Sequence, residues 1–217
     1  MNAGANNQEL LQDPAIYQAF ALMQRKEFDS AEALLKKGLA QAKNVDDSAG
    51  EGVFLSTLGI LFKLKGDYKK AYKFYQQAEK CLKDDDSIKI ISAVLLIEQF
   101  NQHETAFRKM AKLLDRPDQA DPAIIHHATA LQVRALLGMR KPEPAAELFA
   151  SLANQDFAQL RFAANLDFKA VEALLMKGTH KDLCETYLKK ALDLASKTKE
   201  EGYITLIKAI LGKIDAL

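Results

Sequence analysis

Cysteine is scarce: Cys81 and Cys184 are the only two in 217 residues. They stand too far apart for a metal or redox motif, and both read as buried free thiols. Glycine (10) and proline (5) are sparse as well, which argues against a chain of many tight turns and leaves long helices as the favoured element. No sign of charge is in excess, with 30 Lys and Arg against 29 Asp and Glu. Nucleic-acid binders draw affinity from neutralised phosphates and carry a basic surplus, so no nucleic-acid partner is expected. No uncharged run reaches the roughly 18 residues of a membrane span. The polar start, Met1 to Glu9, lacks the basic and apolar regions of a secretory signal. No membrane contact is expected, and the expected location is cytoplasmic.

Catalytic signatures are missing too. There is no Gly-rich phosphate loop, nucleophile elbow, zinc spacing or calcium loop. His126 and His127 are adjacent, so on a helix they point about 100° apart and cannot chelate one metal as an i, i+4 pair would. They read as partly exposed helix histidines. His103 and His180 each fall in a turn between paired helices. No catalytic residue, metal ligand or cofactor is assigned, and the chain reads as a non-enzyme.

What is present is helix-forming and periodic. Ala, Leu, Lys, Glu and Gln dominate. Leu55, Leu58, Gly59 and Phe62 share one stripe at spacings of three and four; Ala71, Tyr75, Ala78 and Leu82 share another. Gly66-Asp67 between them is a helix stop followed by a start. Gly59 and Ala71 lack bulk, so two antiparallel helices can close there while Phe62 and Tyr75 fill the space beside them. Weaker copies follow the same pattern, and the small residue of each second helix marks the period: Ala31, Ala71, Ala106, Ala145 and Cys184, in steps of 40, 35, 39 and 39.

This unit resembles the tetratricopeptide repeat, with Leu55 where the family often has Trp and Lys83 where it often has Pro. The resemblance implies an all-α fold: a right-handed superhelical array of about five helix–turn–helix repeats over 12–45, 52–85, 87–117, 121–155 and 157–198, followed by a terminal helix over 200–217. Caps agree with these borders. Asp13-Pro14 and Asp121-Pro122 each place an acid before a proline at the first helical position. Asp47-Ser48, the Asp84–Ser87 cluster and Pro142 open further helices. The polar stretch 115–121 is a candidate joint within a single domain. The terminal segment offers Ile204, Ile207, Leu211 and Ile214 on one face, with Tyr203, Leu206 and Ile210 beside it. It reads as a cap on the last repeat or as a helix that enters the groove of its own or a neighbouring chain.

Arrays of this kind usually bind partners along the first helix of each pair. That implies an inner face of Ile16, Phe20, Met23, Val53, Thr57, Ile60, Lys63, Ile88, Ser92, Leu95 and Gln99. The subfamily that clamps a C-terminal carboxylate needs Lys, Arg and Asn. The matching places here hold Ile16, Phe20, Thr57, Ile88 and Ser92, so that function is not expected. An apolar groove suits an apolar or amphipathic protein segment. Seven lysines between Lys63 and Lys83, with Tyr68, Tyr72 and Tyr75 interleaved, read as a solvated face or as an attractant for an acidic partner. The expected role is a protein-binding adaptor; the alternative is a structural protein that dimerises through its terminal helix.

Overall fold

The computed structural model describes residues 13–115, 121–178 and 180–215. Among them the chain is all-α. The helices run α1 (Pro14–Gln24), α2 (Phe28–Asn44), α3 (Ser48–Leu64), α4 (Tyr68–Cys81), α5 (Asp86–Glu98), α6 (His103–Leu114), α7 (Pro122–Gly138), α8 (Pro142–Asn154), α9 (Phe168–Leu175), α10 (Lys181–Lys197) and α11 (Glu201–Asp215). Two 3-10 turns, Phe157–Leu160 and Ala163–Asn165, lie between α8 and α9. The fold consists of tetratricopeptide-like helix pairs. Two compact units divide at Leu95 and Leu96, within α5. Residues 116–120 of the expected joint lie outside the described residues.

Local chemistry sets the helix borders. Asp13, Asp47, Asp67 and Asp121 each accept a hydrogen bond from a first-turn amide, at 2.7, 2.9, 3.1 and 2.7 Å. Such a cap contributes about 1 kcal/mol. Each first helix ends on a left-handed residue: Lys26, Gly66, Asn101, Arg140 and Gly178, with φ between 52° and 78°. Four of the buried small residues, Ala31, Ala71, Ala106 and Ala145, stand five positions later, and Cys184 stands six later. All five are fully enclosed. The left-handed turn residue and the enclosed small residue of the second helix thus keep one spacing in four pairs and lengthen it by one in the fifth. Cys81, by contrast, keeps part of its surface exposed, because its helix ends there.

In the first unit, Gly59 of α3 faces the ring of Tyr75 on α4, and Gly38 of α2 faces the ring of Phe54 on α3. The first contact is within a repeat and the second is between repeats. Phe62 stacks on Phe74 at 5.3 Å. Helix propensity alone favours Ala at position 59, but packing reverses that preference, because a Cβ there would overlap the Tyr75 ring.

In the second unit, α7 packs against α6, α8 and α9, and α8 against α10. The fifth pair departs from the others: its first helix has only eight residues, preceded by the 3-10 turns. Terminal helix α11 lies on α10. Its buried face is Ile207, Ile210 and Ile214, while Ile204 and Leu211 are half-buried and Leu206 is 40% exposed. That face is rolled from the expected one, where Ile204 and Leu211 were central. The Tyr203 ring stacks on Phe168 at 6.0 Å and sets the roll. Glu200, just before α11, accepts from the Ala163 and Ala164 amides at 2.7 and 3.2 Å, tying the cap to the second 3-10 turn.

Two stability predictions follow from this packing. Gly59→Ala should lower stability by about 1–3 kcal/mol, the usual range for overpacking, and Tyr75→Leu in the same chain should recover part of the loss; urea unfolding of the wild type and the two variants measures both. Arg140→Gly should raise stability by about 0.5–1 kcal/mol, because it relieves a left-handed residue that carries a Cβ. Gly66→Ala should lower stability by a similar amount, and thermal unfolding reads both shifts.

Candidate partner-binding face

The expected inner face divides sharply by exposure. Ile16, Met23, Val53, Thr57, Ile88, Ser92 and Leu95 are buried. Thr57 donates to the Val53 carbonyl at 2.8 Å, and Ser92 to the Glu79 carboxylate at 2.6 Å. Phe20 and Ile60 are half-buried, and Lys63 and Gln99 are exposed. The physical reason is enclosure: ten of the 17 residues of α3 are buried, since it packs on both α2 and α4. Of the expected face, α1 and α3 leave to solvent part of the apolar Phe20 and Ile60 and the basic Lys63, while Tyr17 and Leu64, outside that face, are 60% and 56% exposed.

In the second unit the corresponding strip is ionic. Arg134 stands eleven residues before Ala145, as Ile60 stands eleven before Ala71. Its guanidinium donates to Glu98 at 2.5 Å and to Asp167 at 3.3 Å, and Lys169 reaches Glu98 at 2.7 Å. The Arg134 and Asp167 side chains are only 9% and 10% exposed, whereas Lys169 is 62% exposed. Burial pulls the Glu98 carboxyl up, but hydrogen bonds from Lys169 and Arg134 outweigh it and hold the group below its ordinary range. Asp167 also accepts from the Lys169 and Ala170 amides and caps α9. One carboxylate thus starts a helix and neutralises an arginine of α7.

Behind this strip lies a polar group in the core. His126 is fully buried, not partly exposed as its sequence context suggested. Its Nδ1 is 2.8 Å from Gln155 Oε1 and its Nε2 is 2.7 Å from the Tyr187 hydroxyl. Phe157 meets the imidazole edge-on at 5.8 Å, and Phe149 packs on Tyr187 at 5.0 Å. Desolvation lowers the His126 pKa to about 4 against the opposing bond to Gln155. The neutral ring therefore donates from Nδ1 to Gln155 and accepts from Tyr187 at Nε2. Burial likewise pushes the Tyr187 phenol far above its ordinary range. Half-buried His127 is also lowered by desolvation. His126 holds three helices together and touches no solvent.

Residues 13–84 match the family model described as the tetratricopeptide repeat. Over those residues the chain is similar to tetratricopeptide-repeat proteins. A solved structure titled as the functional characterization of Pseudomonas aeruginosa pilF is similar across 96% of this chain and 93% of that one. Its TM-score is 0.58 and its identity 16%, so the likeness speaks for the fold alone. No curated protein matches. Tetratricopeptide repeats generally mediate protein–protein interaction and are generally non-catalytic. Among the described residues no helix is long and apolar enough to cross a membrane.

Two features of these repeats lay outside the sequence-based expectation, and one of them carried a signal. Arg134 is the sole Lys, Arg, Asp or Glu in α7. An isolated cation in an apolar helix calls for buried carboxylate partners, but not which ones. The pairing of His126 with Tyr187, 61 residues away, left no local trace. Beside it, Lys190 donates to the Ala153 and Gln155 carbonyls at 2.7 and 3.3 Å and lies over the Phe157 ring, closing the C-terminal end of α8. The His126 linkage predicts a pH dependence. Its folded pKa lies below the unfolded value near 6.5, so the unfolded chain takes up the proton first. Stability is then complete above about pH 6.5 and falls by about 3 kcal/mol as pH drops to about 4. Urea unfolding between pH 7.5 and 5 should show this loss in the wild type, and His126→Gln, though less stable throughout, should show a flatter slope.

Proposed function

We propose that the chain is a cytoplasmic, non-enzymatic scaffold that takes an apolar or amphipathic segment of a partner protein along the strip of its first helices. Phe20 and Ile60 make the apolar contacts and Lys63 the charged rim. The supporting observation is that Phe20 on α1 and Ile60 on α3 keep half-buried apolar side chains open to solvent, with Lys63 exposed beside Ile60 on α3. An apolar centre with a polar edge is the ordinary anatomy of a protein interface, and side chains already fixed by packing lose little freedom on binding. The other members of the expected face, Ile16, Met23, Val53, Thr57, Ile88, Ser92 and Leu95, are buried and offer the partner no contact; Gln99, which follows α5, is solvent-facing.

A second reading, dimerisation through the terminal helix, draws on one observation. A cleft of about 470 Å³ beside α11 is lined by Glu172, Leu175, Met176, Ile210 and Lys213, and Met176 is 86% exposed. The two readings separate in one set of measurements. Partners captured by crosslinking from the native organism should be lost from Phe20→Asp/Ile60→Asp and kept by Met176→Lys, with both proteins monomeric by light scattering. Partner sets unchanged by the double substitution would remove the first reading. A wild-type dimer converted to monomer by Met176→Lys would establish the second.

A further inference from the structure

A different surface in the first unit, on the outer side of α4, has a charge pattern that the packing does not use. Lys69, Lys73 and Lys80 recur at spacings of four and seven, so they line one side of the helix over about 16 Å. All three are exposed, and none has an ion pair among the described residues. The acids nearest in sequence are already engaged: Asp67 holds Lys70 at 3.1 Å, and Glu79 turns to Ser92. Among the described residues, the second helices α2 and α6 each carry only one exposed lysine without an ion pair, Lys37 and Lys112. On α2, α6 and α10 a basic side chain is met by an acid of its own helix, as in Lys36–Glu32, Arg108–Glu104 and Lys197–Asp193.

We propose that this lysine line is a docking surface for an acidic helix of a partner protein, with carboxylates at spacings of three and four. Charge complementarity supplies the argument, and the surroundings of the line choose among polyanions. Gln76 and Gln77 flank it and no large apolar side chain is exposed on that side of α4; a membrane-surface helix needs apolar groups to insert. The line ends at the acidic run Asp84-Asp85-Asp86, which repels a continuing phosphate backbone, and the whole chain carries only +1. A short acidic helix fits the length and meets neither obstacle. The surface is independent of the first-helix strip, which lies on α1 and α3.

The test uses the full chain and a fluorescent alanine-based helical peptide with glutamate at every third and fourth position, at low salt. The wild type should bind it and release it as salt is raised. The substitution Lys69→Gln/Lys73→Gln/Lys80→Gln should weaken binding about tenfold, as three exposed ion pairs would. The control Lys36→Gln/Lys37→Gln/Lys112→Gln removes as much charge elsewhere and should bind like the wild type. Circular dichroism confirms that both variants remain helical. No binding, or equal weakening by the two variants, would overturn the proposal. So would lysine-line-dependent binding of duplex DNA or phosphatidylserine vesicles in preference to the peptide.

Discussion

The close approach of paired helices at a side chain of little bulk is the constraint on which the rest of this structure depends. Two helices can approach closely only where something small stands between them. Ala31, Ala71, Ala106, Ala145 and Cys184 fill that place, each without solvent exposure. The turn before them is equally constrained, because a left-handed residue reverses the chain so that the small side chain arrives facing inward. Once that contact is made, large side chains beside it have defined holes to fill. Tyr75 lies against Gly59 because Gly59 has no Cβ to prevent it. Enclosure of the first helices, and the strips they leave to solvent, then follow.

The two units use those strips differently. In the first, α1 and α3 present Phe20, Ile60 and Lys63 above a floor of buried apolar residues. In the second, the equivalent surface is closed by Glu98, Arg134, Asp167 and Lys169 pairing with one another. An arginine so little exposed requires its carboxylates, because leaving a buried charge unpaired costs far more than the pair returns. Such pairs fix geometry more than they add stability. His126 acts in the same manner, since its two nitrogens accept only an arrangement that brings Gln155 and Tyr187 to both sides of the ring. The second unit is thus specified by polar contacts as well as by apolar volume, with its fifth pair shortened and reinforced by 3-10 turns and by Glu200.

Much of the fold was legible because its determinants are local. The capping aspartates, Gly66-Asp67 and the period of small residues each act within one or two helical turns, and such signals can be read from neighbouring residues. The half-exposed surface of the first helices was legible only in part. Helical spacing assigns a residue to a face, yet it does not say how much of that face the next helices cover. Val53 and Ile60 share a helix and were expected on the same surface, but one is buried and the other keeps partial exposure.

What the sequence determined by itself is therefore the all-helical repeat, its borders and its period, all carried by short-range chemistry: caps, helix stops, and small residues placed at regular intervals. Tertiary structure alone decided the rest. It placed Tyr75 against Gly59 and made alanine the worse residue there; it buried His126 against a tyrosine 61 positions away; it joined Arg134 to Glu98 and Asp167; and it rolled α11 onto Ile207, Ile210 and Ile214. Each of these outcomes depends on which surfaces meet when helices pack, and the energy of burying a charge, a ring or a methyl group is set by that meeting rather than by the neighbours in the chain.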